Sequence, residues 1–332
     1  MNVAVVILNW NGKKLLEQFL PSIISCSEKE VTIYLADNAS TDDSVSLVQN
    51  KFPSIKIIQN KTNGGYAKGY NDAVKNLTED LFVLLNNDVA VSPNWLTPIV
   101  SEFKKDDNLV AAQPKILDYH NKSYFEYAGA GGGYIDQLGY PYCRGRIFNT
   151  LEKDKGQYDD TTTVFWATGA CLFVRKTAYN EVDGLDEEFF AHQEEIDLCW
   201  RLQSQGGTIK YIGKSTVYHL GGATLSSYSS KKTFYNFRNS LLMLIKNVSS
   251  SKVWFLLFIR LILDGLAGFQ FLIQGKWRHS LAIIKAHVSF YRLIPTCLKK
   301  RNKNSTQFKY YHIKSIVWNY FIRKNRTFKQ LK

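Results

Sequence analysis

The sequence predicts an α/β fold. A mainly parallel, Rossmann-like central sheet with flanking helices is followed by a helical, basic C-terminal segment. Three observations carry this prediction. Short apolar runs at residues 3–8, 31–36, 55–59 and 81–85 have the length of buried strands. Segments with helical spacing of apolar residues alternate with them, the pattern of a parallel sheet covered by helices. Finally, the net charge of +13 is concentrated at one end: beyond Asp264 there are 15 Lys and Arg and no acid, whereas residues 1–264 balance at −2. A change of organisation near residue 230 is therefore expected, with 1–230 as the α/β domain and 231–332 as the basic region.

The first strand, 3–8, ends in the turn Asn9-Trp10-Asn11-Gly12. Residues 13–25 read as a helix with Leu15, Leu16, Phe19, Leu20, Ile23 and Ile24 on one face, and Pro21 is expected to kink or split it. The second strand, 31–36, runs into Asp37-Asn38-Ala39-Ser40-Thr41-Asp42, where Thr41 is placed to cap a helix reaching Asn50. A third strand at 55–59 is followed by the breaker Asn63-Gly64-Gly65 and a helix over 66–77. The run Leu81-Phe82-Val83-Leu84-Leu85 then stops abruptly in Asn86-Asn87-Asp88. Residues 118–160, rich in Gly, Tyr and charge, read as a long loop or a small excursion over the sheet. Residues 165–174 are apolar again, interrupted by Thr168-Gly169-Ala170, and 182–186 form a turn. A helix begins at Glu194, burying Ile196, Cys199, Trp200 and Leu202 and pairing Asp197 with Arg201 four residues on. Two strands are expected at 208–212 and 216–219, the second ending in His219.

Several function classes are excluded. The five cysteines are scattered without a C-x-x-C pair, so they read as buried thiols in a reducing compartment. Gly64-Gly65-Tyr66-Ala67-Lys68-Gly69 is neither G-x-G-x-x-G nor a P-loop and does not follow the first strand, which sets hydride transfer and P-loop chemistry aside. The N-terminus enters a strand without a basic region or cleavage site, and no signal peptide is expected.

Parallel strands bring Asn9, Asp37-Asn38 and Asn86-Asn87-Asp88 to one rim of the sheet. Loop chemistry accounts for any one of these clusters. Three together favour a pocket for a polar ligand, because open α/β sheets bind ligands beyond the carboxyl ends of their strands. Oxygen donors at that point suit a hard divalent cation that shares phosphate oxygens with a substrate, and Asp88 is its expected seat. Glu194 and Glu195 lie at a helix N-terminus, whose dipole favours the ionised form that a general base needs, although acids also commonly decorate such a position. His219 is either a structural histidine or a second metal ligand.

Taken together, these residues resemble glycosyltransferase family 2, the inverting transferases with a GT-A fold. The similarity runs from Val3 to about Gly222 and rests on five ordered segments. They are Val5-Val6-Ile7-Leu8-Asn9-Trp10-Asn11-Gly12, Asp37-Asn38-Ala39-Ser40-Thr41-Asp42, Asn63-Gly64-Gly65 with Asn71, Asn86-Asn87-Asp88, and Glu194-Glu195-Ile196-Asp197-Leu198-Cys199-Trp200-Arg201. The Asn-Asn-Asp and Leu-Cys-Trp-Arg variants are most similar to bacterial rhamnosyltransferase-like enzymes of surface-polysaccharide synthesis. The resemblance implies a nucleotide-sugar donor, such as dTDP-rhamnose or a UDP-sugar, a lipid-linked saccharide acceptor, and Mg2+ or Mn2+ as cofactor. By the same resemblance Asp37 binds the nucleobase or ribose, with Asn9 and Asn38 lining its pocket and Gly65, Asn71, Asn86 and Asn87 contributing to the donor site. Asp88 matches the final aspartate of the family's Asp-x-Asp motif, and Asn86 departs from its first. Glu195 matches the catalytic base, where Asp is commoner, with Glu194 as its rival. His219 matches a histidine that contacts the metal in related enzymes.

A helix over 234–247 resembles a segment that follows the GT-A core in this group; its Arg238 is either a donor-phosphate contact or a surface arginine. Residues 253–273 are long and apolar enough to span a bilayer but contain Arg260 and Asp264, each costing roughly 2.5–3.5 kcal/mol at its centre. The favoured reading is a helix lying in the interface of the cytoplasmic leaflet, with a buried bundle helix and a transmembrane span as alternatives. This places the protein in the cytoplasm, peripheral to the inner face of the plasma membrane. The competing functions are a non-catalytic nucleotide-sugar or glycan-binding protein of the same fold and a nucleic-acid binder using the basic tail; no nucleic-acid partner is expected.

Overall fold

The computed structural model describes residues 1–28, 30–221, 229–248, 251–301 and 308–331, so Gly222, where the sequence resemblance ends, lies outside the described residues. The first half of the chain alternates strands and helices. These are β1 (Val3–Asn9), α1 (Lys13–Cys26), β2 (Val31–Asp37), α2 (Ser44–Lys51), β3 (Lys56–Gln59), α3 (Gly65–Val74), β4 (Leu81–Asn86), β5 (Val89–Val91) and α4 (Thr97–Lys105). The strand β6 (Leu109–Asp118) leads into the excursion, which holds β7 (Gly133–Ile135), β8 (Pro141–Cys143), β9 (Arg146–Ile147) and β10 (Thr150–Leu151). The chain then returns to the main sheet through β11 (Thr161–Thr163), β12 (Cys171–Arg175), α5 (Lys176–Glu181), α6 (Glu194–Ser204) and β13 (Thr208–His219). It ends in α7 (Ser230–Asn247), α8 (Lys252–Ile273) and α9 (Trp277–Lys299).

The main sheet has nine strands in the order β11-β13-β6-β12-β4-β1-β2-β3, with β5 paired to β13. It is parallel from β3 to β4, and β6 and β13 point the same way because β12 runs antiparallel to both β4 and β6. The expected mainly parallel sheet is therefore present, with β5, β11 and β12 reversed. β1 shows why both faces are covered. Val3, Val5 and Ile7 enter one core with α1 and α4, while Ala4 and Val6 enter the other with α3, α6 and α7. Alternate side chains of a strand point to opposite faces, so a run with no polar interruption needs two cores.

Four local expectations are corrected. Pro21 does not split α1, which runs on to Cys26 with Pro21 on its exposed side. Thr41 does not cap α2. Its backbone N–H and that of Asp42 donate to the side chain of Asn11 at 2.7 and 3.2 Å, and the helix starts at Ser44, whose N–H meets Asp42 Oδ1 at 3.1 Å. The two strands predicted at 208–219 are one strand with an irregularity between Ile212 and Thr216, where Ser215 turns inward to donate to the Trp95 carbonyl at 2.5 Å. The excursion is no bare loop either. Its four short strands make a second sheet, locked to β6 by the buried Lys115, which pairs with Asp154 at 2.8 Å and with Asp159.

The break expected near residue 230 marks a change from sheet to helix but no break in the core. Leu241–Ile245 of α7 are buried in the same cluster as Val6, Leu84 and Leu198. α8 is pinned by its charges. Arg260 and Asp264 are both fully buried and pair at 3.4 Å, Arg260 donates to the Leu138 carbonyl at 2.8 Å and to Ser240 Oγ at 2.7 Å, and Asp264 also meets His287 at 3.0 Å. The opposite face of α8 is exposed and apolar: Trp254, Phe255, Phe258, Leu261, Ile262 and Leu266. α9 continues this surface with Trp277, Leu281, Ile284 and Val288.

Candidate active site

Because β1, β2, β4, β6 and β13 share one direction, their carboxyl ends converge on one rim. The register places Asn9 opposite Asp37 and Leu8 opposite Asn86. Asn9 is fully buried and ties the rim together. Its amide donates to Asp37 Oδ1 at 3.4 Å and Ser40 Oγ at 3.2 Å, and its oxygen accepts from Asn87 Nδ2 at 2.9 Å. Asp37 is fixed further by the Ser40 N–H at 3.0 Å. Asn38 donates to Asn63 at 2.9 Å and to the Gly65 carbonyl at 3.0 Å, and accepts from Asn60 at 3.2 Å. These amides are buried with complementary partners, so the rim is preorganised.

Asp88 follows β4, and His219 closes β13. The two strands meet through β5, with His219 opposite Val89, and the Leu220 N–H donates to the Asp88 carbonyl at 3.0 Å. His219 Nε2 lies 3.1 Å from Asp88 Oδ1, and Nδ1 lies 3.0 Å from Glu126 Oε2. All three side chains are buried. Burial works against a charged ring, but Asp88 and Glu126 outweigh it and raise His219 to about 10. Glu126 carries no signal in the sequence; it sits in the excursion without a motif around it. Among the described residues no group of three or more His, Cys, Asp and Glu side chains encloses a metal position by itself. Asp88 and His219 side by side fit a hard cation that takes its other ligands from a diphosphate and water.

The acidic pair opens α6. The preceding chain takes an unusual path, with Phe190, His192 and Gln193 all in the left-handed region at φ 61°, 71° and 68°. Such conformations persist only where surroundings over-determine them. Here α7 does so from one side. Asn239, fully buried, donates to the carbonyls of Phe189, Ala191 and His192 at 3.0, 2.9 and 2.7 Å. Arg238 donates to the carbonyls of Glu188 and Phe189 at 2.8 and 3.0 Å. Arg238 is thus buried, corrected from a surface arginine, and its Nη2 braces this loop. α3 holds the other side: the Tyr66 N–H donates to the Phe190 carbonyl at 2.7 Å, and Gly65 packs so closely on the Phe190 ring that a Cβ would lie 2.6 Å from it. Asn71 is likewise saturated from within. It donates to the Leu185 carbonyl at 2.8 Å and accepts from Tyr179 Oη at 2.6 Å and the Leu185 N–H at 3.0 Å. Below the pair, Lys246 joins Asp186 at 2.6 Å and Asp197 at 2.8 Å. Burial opposes the charge on Asp186, but Lys246 and Lys300 hold it well below the usual carboxylate range.

At this helix start burial opposes the charged form that the dipole favours. Burial raises Glu194 far above its ordinary value, with Glu195 beside it adding to the effect. Burial also raises Glu195, to about 7, against the opposing pull of the backbone N–H groups at the helix start. Glu194 Oε2 and Glu195 Oε2 are buried without a protein partner. The pair is connected to the metal side of the rim through the start of β12. Tyr66 Oη donates to the Gly169 carbonyl at 2.6 Å, a Cβ on Gly169 would stand 3.8 Å from Glu195 Cβ, and the next carbonyl, Ala170, accepts the Asn86 N–H at 3.0 Å. Tyr66 and Gly169 are site residues that the sequence marks only as parts of a helix and a break.

Comparison with known proteins identifies the family and the fold. A family model described as Glycosyl transferase family 2 matches residues 4–183, which takes in Asn9, Asp37 and Asp88 and stops short of the acidic pair. The chain is 26% identical over 230 residues to N-acetylglucosaminyl-diphospho-decaprenol L-rhamnosyltransferase of Mycobacterium tuberculosis, covering 65% of this chain and 75% of that protein. The mannosyltransferase PcManGT from Pyrobaculum calidifontis, solved with GDP-Man and Mn2+, superposes with a TM-score of 0.55 at 12% identity over 87% of each chain. S. aureus TarS 1-349 in complex with UDP superposes with a TM-score of 0.54 at 15% identity, over 92% of this chain and 88% of that one. The architecture is the GT-A fold.

Proposed function

The chain belongs to glycosyl transferase family 2, and from that premise we propose that it moves a sugar, with inversion, from a nucleoside-diphosphate donor to a hydroxyl of a lipid-linked saccharide. The observation that carries this reading is the meeting at one rim of a nucleotide-side cluster, a cation-side pair and a shielded acid. The first is Asp37 with Asn9 and Asn38, the second is Asp88 with His219, and the third is Glu195, linked to Asn86 through Gly169 and Ala170. The M. tuberculosis relative, named for rhamnosyl transfer to a decaprenol-linked sugar, favours rhamnose and a polyprenyl diphosphate acceptor.

In this reading Asp88 and His219 hold a Mg2+ or Mn2+ ion. Bound there, the ion neutralises charge on the diphosphate. The protein does the rest. Asp37, fixed by Asn9 and Ser40, receives the nucleoside, and Asn86 and Asn87 border the diphosphate. The acceptor hydroxyl oxygen forms the new bond to the anomeric carbon from the face opposite the diphosphate. The old carbon–oxygen bond breaks with its electron pair passing to the diphosphate. The hydroxyl proton goes to Glu195. A carboxylate raised to about 7 is close to the ideal for this task, strong enough to take the proton and still ionised in part at neutral pH. Burial raises Glu194 in the same direction, so the two carboxyl groups titrate as a pair, and Glu195 is assigned the base because it is the one that matches the family's motif.

The exposed apolar face of α8 and α9 supports placement on a membrane. Both helices are long and apolar enough to cross one, yet α8 is bonded into the core through Arg260 and Asp264, which favours a helix lying in the interface. We place the protein at the cytoplasmic face, where a lipid-linked acceptor and a soluble donor meet.

The reaction is tested with purified protein, dTDP-rhamnose and UDP-sugars, and a polyprenyl-diphosphate-linked GlcNAc acceptor. Glu195→Gln should abolish transfer while UDP or dTDP still binds. A variant with normal turnover would remove Glu195 as the base, and a wild-type protein that turns over no donor would return the non-catalytic reading.

A further inference from the structure

The buried carboxylate of Glu126 has no part in the reaction derived above, yet it lies in contact with His219. We propose that Glu126 is a positioning residue for His219: its carboxylate holds the Nδ1 edge of the ring, so that Nε2 is presented beside Asp88 to a divalent cation. The inference rests on the metal reading of Asp88 and His219.

An imidazole offers a lone pair at one nitrogen when its proton sits on the other, and an acceptor at that other nitrogen selects the form. The three side chains stand in that order. Asp88 Oδ1 is 3.1 Å from Nε2 on one side, and on the other Glu126 Oε2 lies 3.0 Å from Nδ1 in ion-pair contact, outside hydrogen-bond geometry, with no hydrogen-bond partner taking that nitrogen instead. Glu126 is behind the ring, so it shares no common point with Asp88, consistent with the lack of a three-residue cage among the described residues. It is also held there from several directions. Its backbone N–H donates to the Ile116 carbonyl at 3.1 Å, and its neighbour Phe125 bridges to Leu117, which anchors the segment on β6 next to β13. Its Oε2 accepts the Ala128 N–H at 2.5 Å. Beyond His219 the chain folds over the same carboxylate at Gly221, whose φ of +68° favours glycine and where a Cβ would stand 2.8 Å from Oε1. Burying an acid costs free energy, which its contacts with the His219 ring and the charge of nearby Arg146 offset here. Carboxylates in this position behind a metal-bound histidine fix its orientation, and their loss typically weakens the metal by 10–100-fold.

The test is a titration of Mn2+ alone into the full chain, followed by the electron-paramagnetic signal of the free ion. It compares wild type with Asp88→Asn, His219→Ala, Glu126→Gln and Glu126→Asp, each checked for native circular dichroism. Glu126→Gln should weaken Mn2+ by about 10–100-fold, and Glu126→Asp should recover part of the loss. In parallel, the ring nitrogens of 15N-histidine-labelled wild type with Mg2+ should show His219 protonated at Nδ1, a measurement that stands even if a Glu126 variant fails to fold. Mn2+ bound equally well by Glu126→Gln, with Asp88→Asn and His219→Ala impaired, would overturn the role of Glu126 and leave the metal site standing. A His219 protonated at Nε2 would overturn it as well. If Asp88→Asn and His219→Ala bind Mn2+ as wild type does, the metal reading itself fails.

Discussion

Glu195→Gln is expected to make the protein more stable above neutral pH. Burial disfavours the anion and moves the folded side chain's pKa from 4.5 to about 7. Each tenfold change in proton affinity corresponds to about 1.4 kcal/mol, so an ionised Glu195 costs the folded state about 3 kcal/mol if fully shielded. The side chain is only partly shielded from solvent, which reduces the expected figure to about 1–2 kcal/mol. The sign follows from proton binding. Between pH 4.5 and 7 the folded state holds this proton more tightly than the unfolded chain, so stability falls as pH rises and the full penalty applies above about 7. Glutamine has nearly the same shape and no charge to bury. Urea unfolding at pH 5 and pH 8 tests this directly. At pH 5 the two proteins should differ little, and at pH 8 the variant should be more stable by about 1–2 kcal/mol while transferring no sugar. The opposing contribution is the helix dipole, worth about 0.3–1 kcal/mol in favour of the anion. A variant less stable than wild type at pH 8 would mean that the dipole and its N–H groups win, and the argument for a shielded base would fail.

Three further outcomes follow from the geometry. Gly169→Ala places a methyl 2.8 Å from Tyr66 Oη and 3.8 Å from Glu195 Cβ, so transfer should drop at least about tenfold, with UDP or dTDP binding changed less. Asp264→Ala removes the shared partner of Arg260, Tyr140 and His287 and leaves a buried guanidinium without its counter-charge; chemical denaturation should register a loss of about 3–5 kcal/mol. Replacing Phe255, Phe258, Leu261 and Ile262 with serine should abolish sedimentation with anionic vesicles and leave the unfolding midpoint nearly unchanged, since all four are exposed; undiminished binding would move the contact elsewhere.

The parallel half of the sheet is legible in the sequence because a doubly buried strand admits no polar residue, and 3–8 and 81–85 show that in one dimension. Asn9, Asp37 and Asp88 are legible for the complementary reason: polar residues crowd where such strands end. What stays hidden depends on contacts made across the chain. Glu126 becomes informative only once β6 and β13 are neighbours. Asn239 is one amide in an amphipathic helix until it is seen holding three carbonyls of a left-handed loop. The raised proton affinity of Glu195 is hidden because a helix start is visible in sequence, whereas the burial that opposes its charge comes from Tyr66 and Gly169, which only the fold brings beside it.

The same distinction decides how α8 meets a membrane. As a string of residues, Arg260 and Asp264 are charges that a bilayer would have to accommodate, and the helix looks like a poor span. In the fold they fall four residues apart on its inner face, where the Leu138 carbonyl, Ser240, Tyr140 and His287 satisfy them. The cost of those charges is therefore met by protein rather than lipid, and the outer face is left free to be apolar. A helix fixed along one side by such bonds cannot be surrounded by lipid without breaking them. It can sink one face into a leaflet, and the Lys and Arg that follow Asp264 are suited to the headgroups around it. Tethering by α8 also fixes the acidic pair, because α7, which packs on both α8 and α9, carries Arg238 and Asn239 to the loop before Glu194. Loss of vesicle binding should thus reduce transfer to a lipid-linked acceptor more than transfer to a short soluble one. Equal losses on both acceptors would show that the helices support the site structurally and do not deliver it to the membrane.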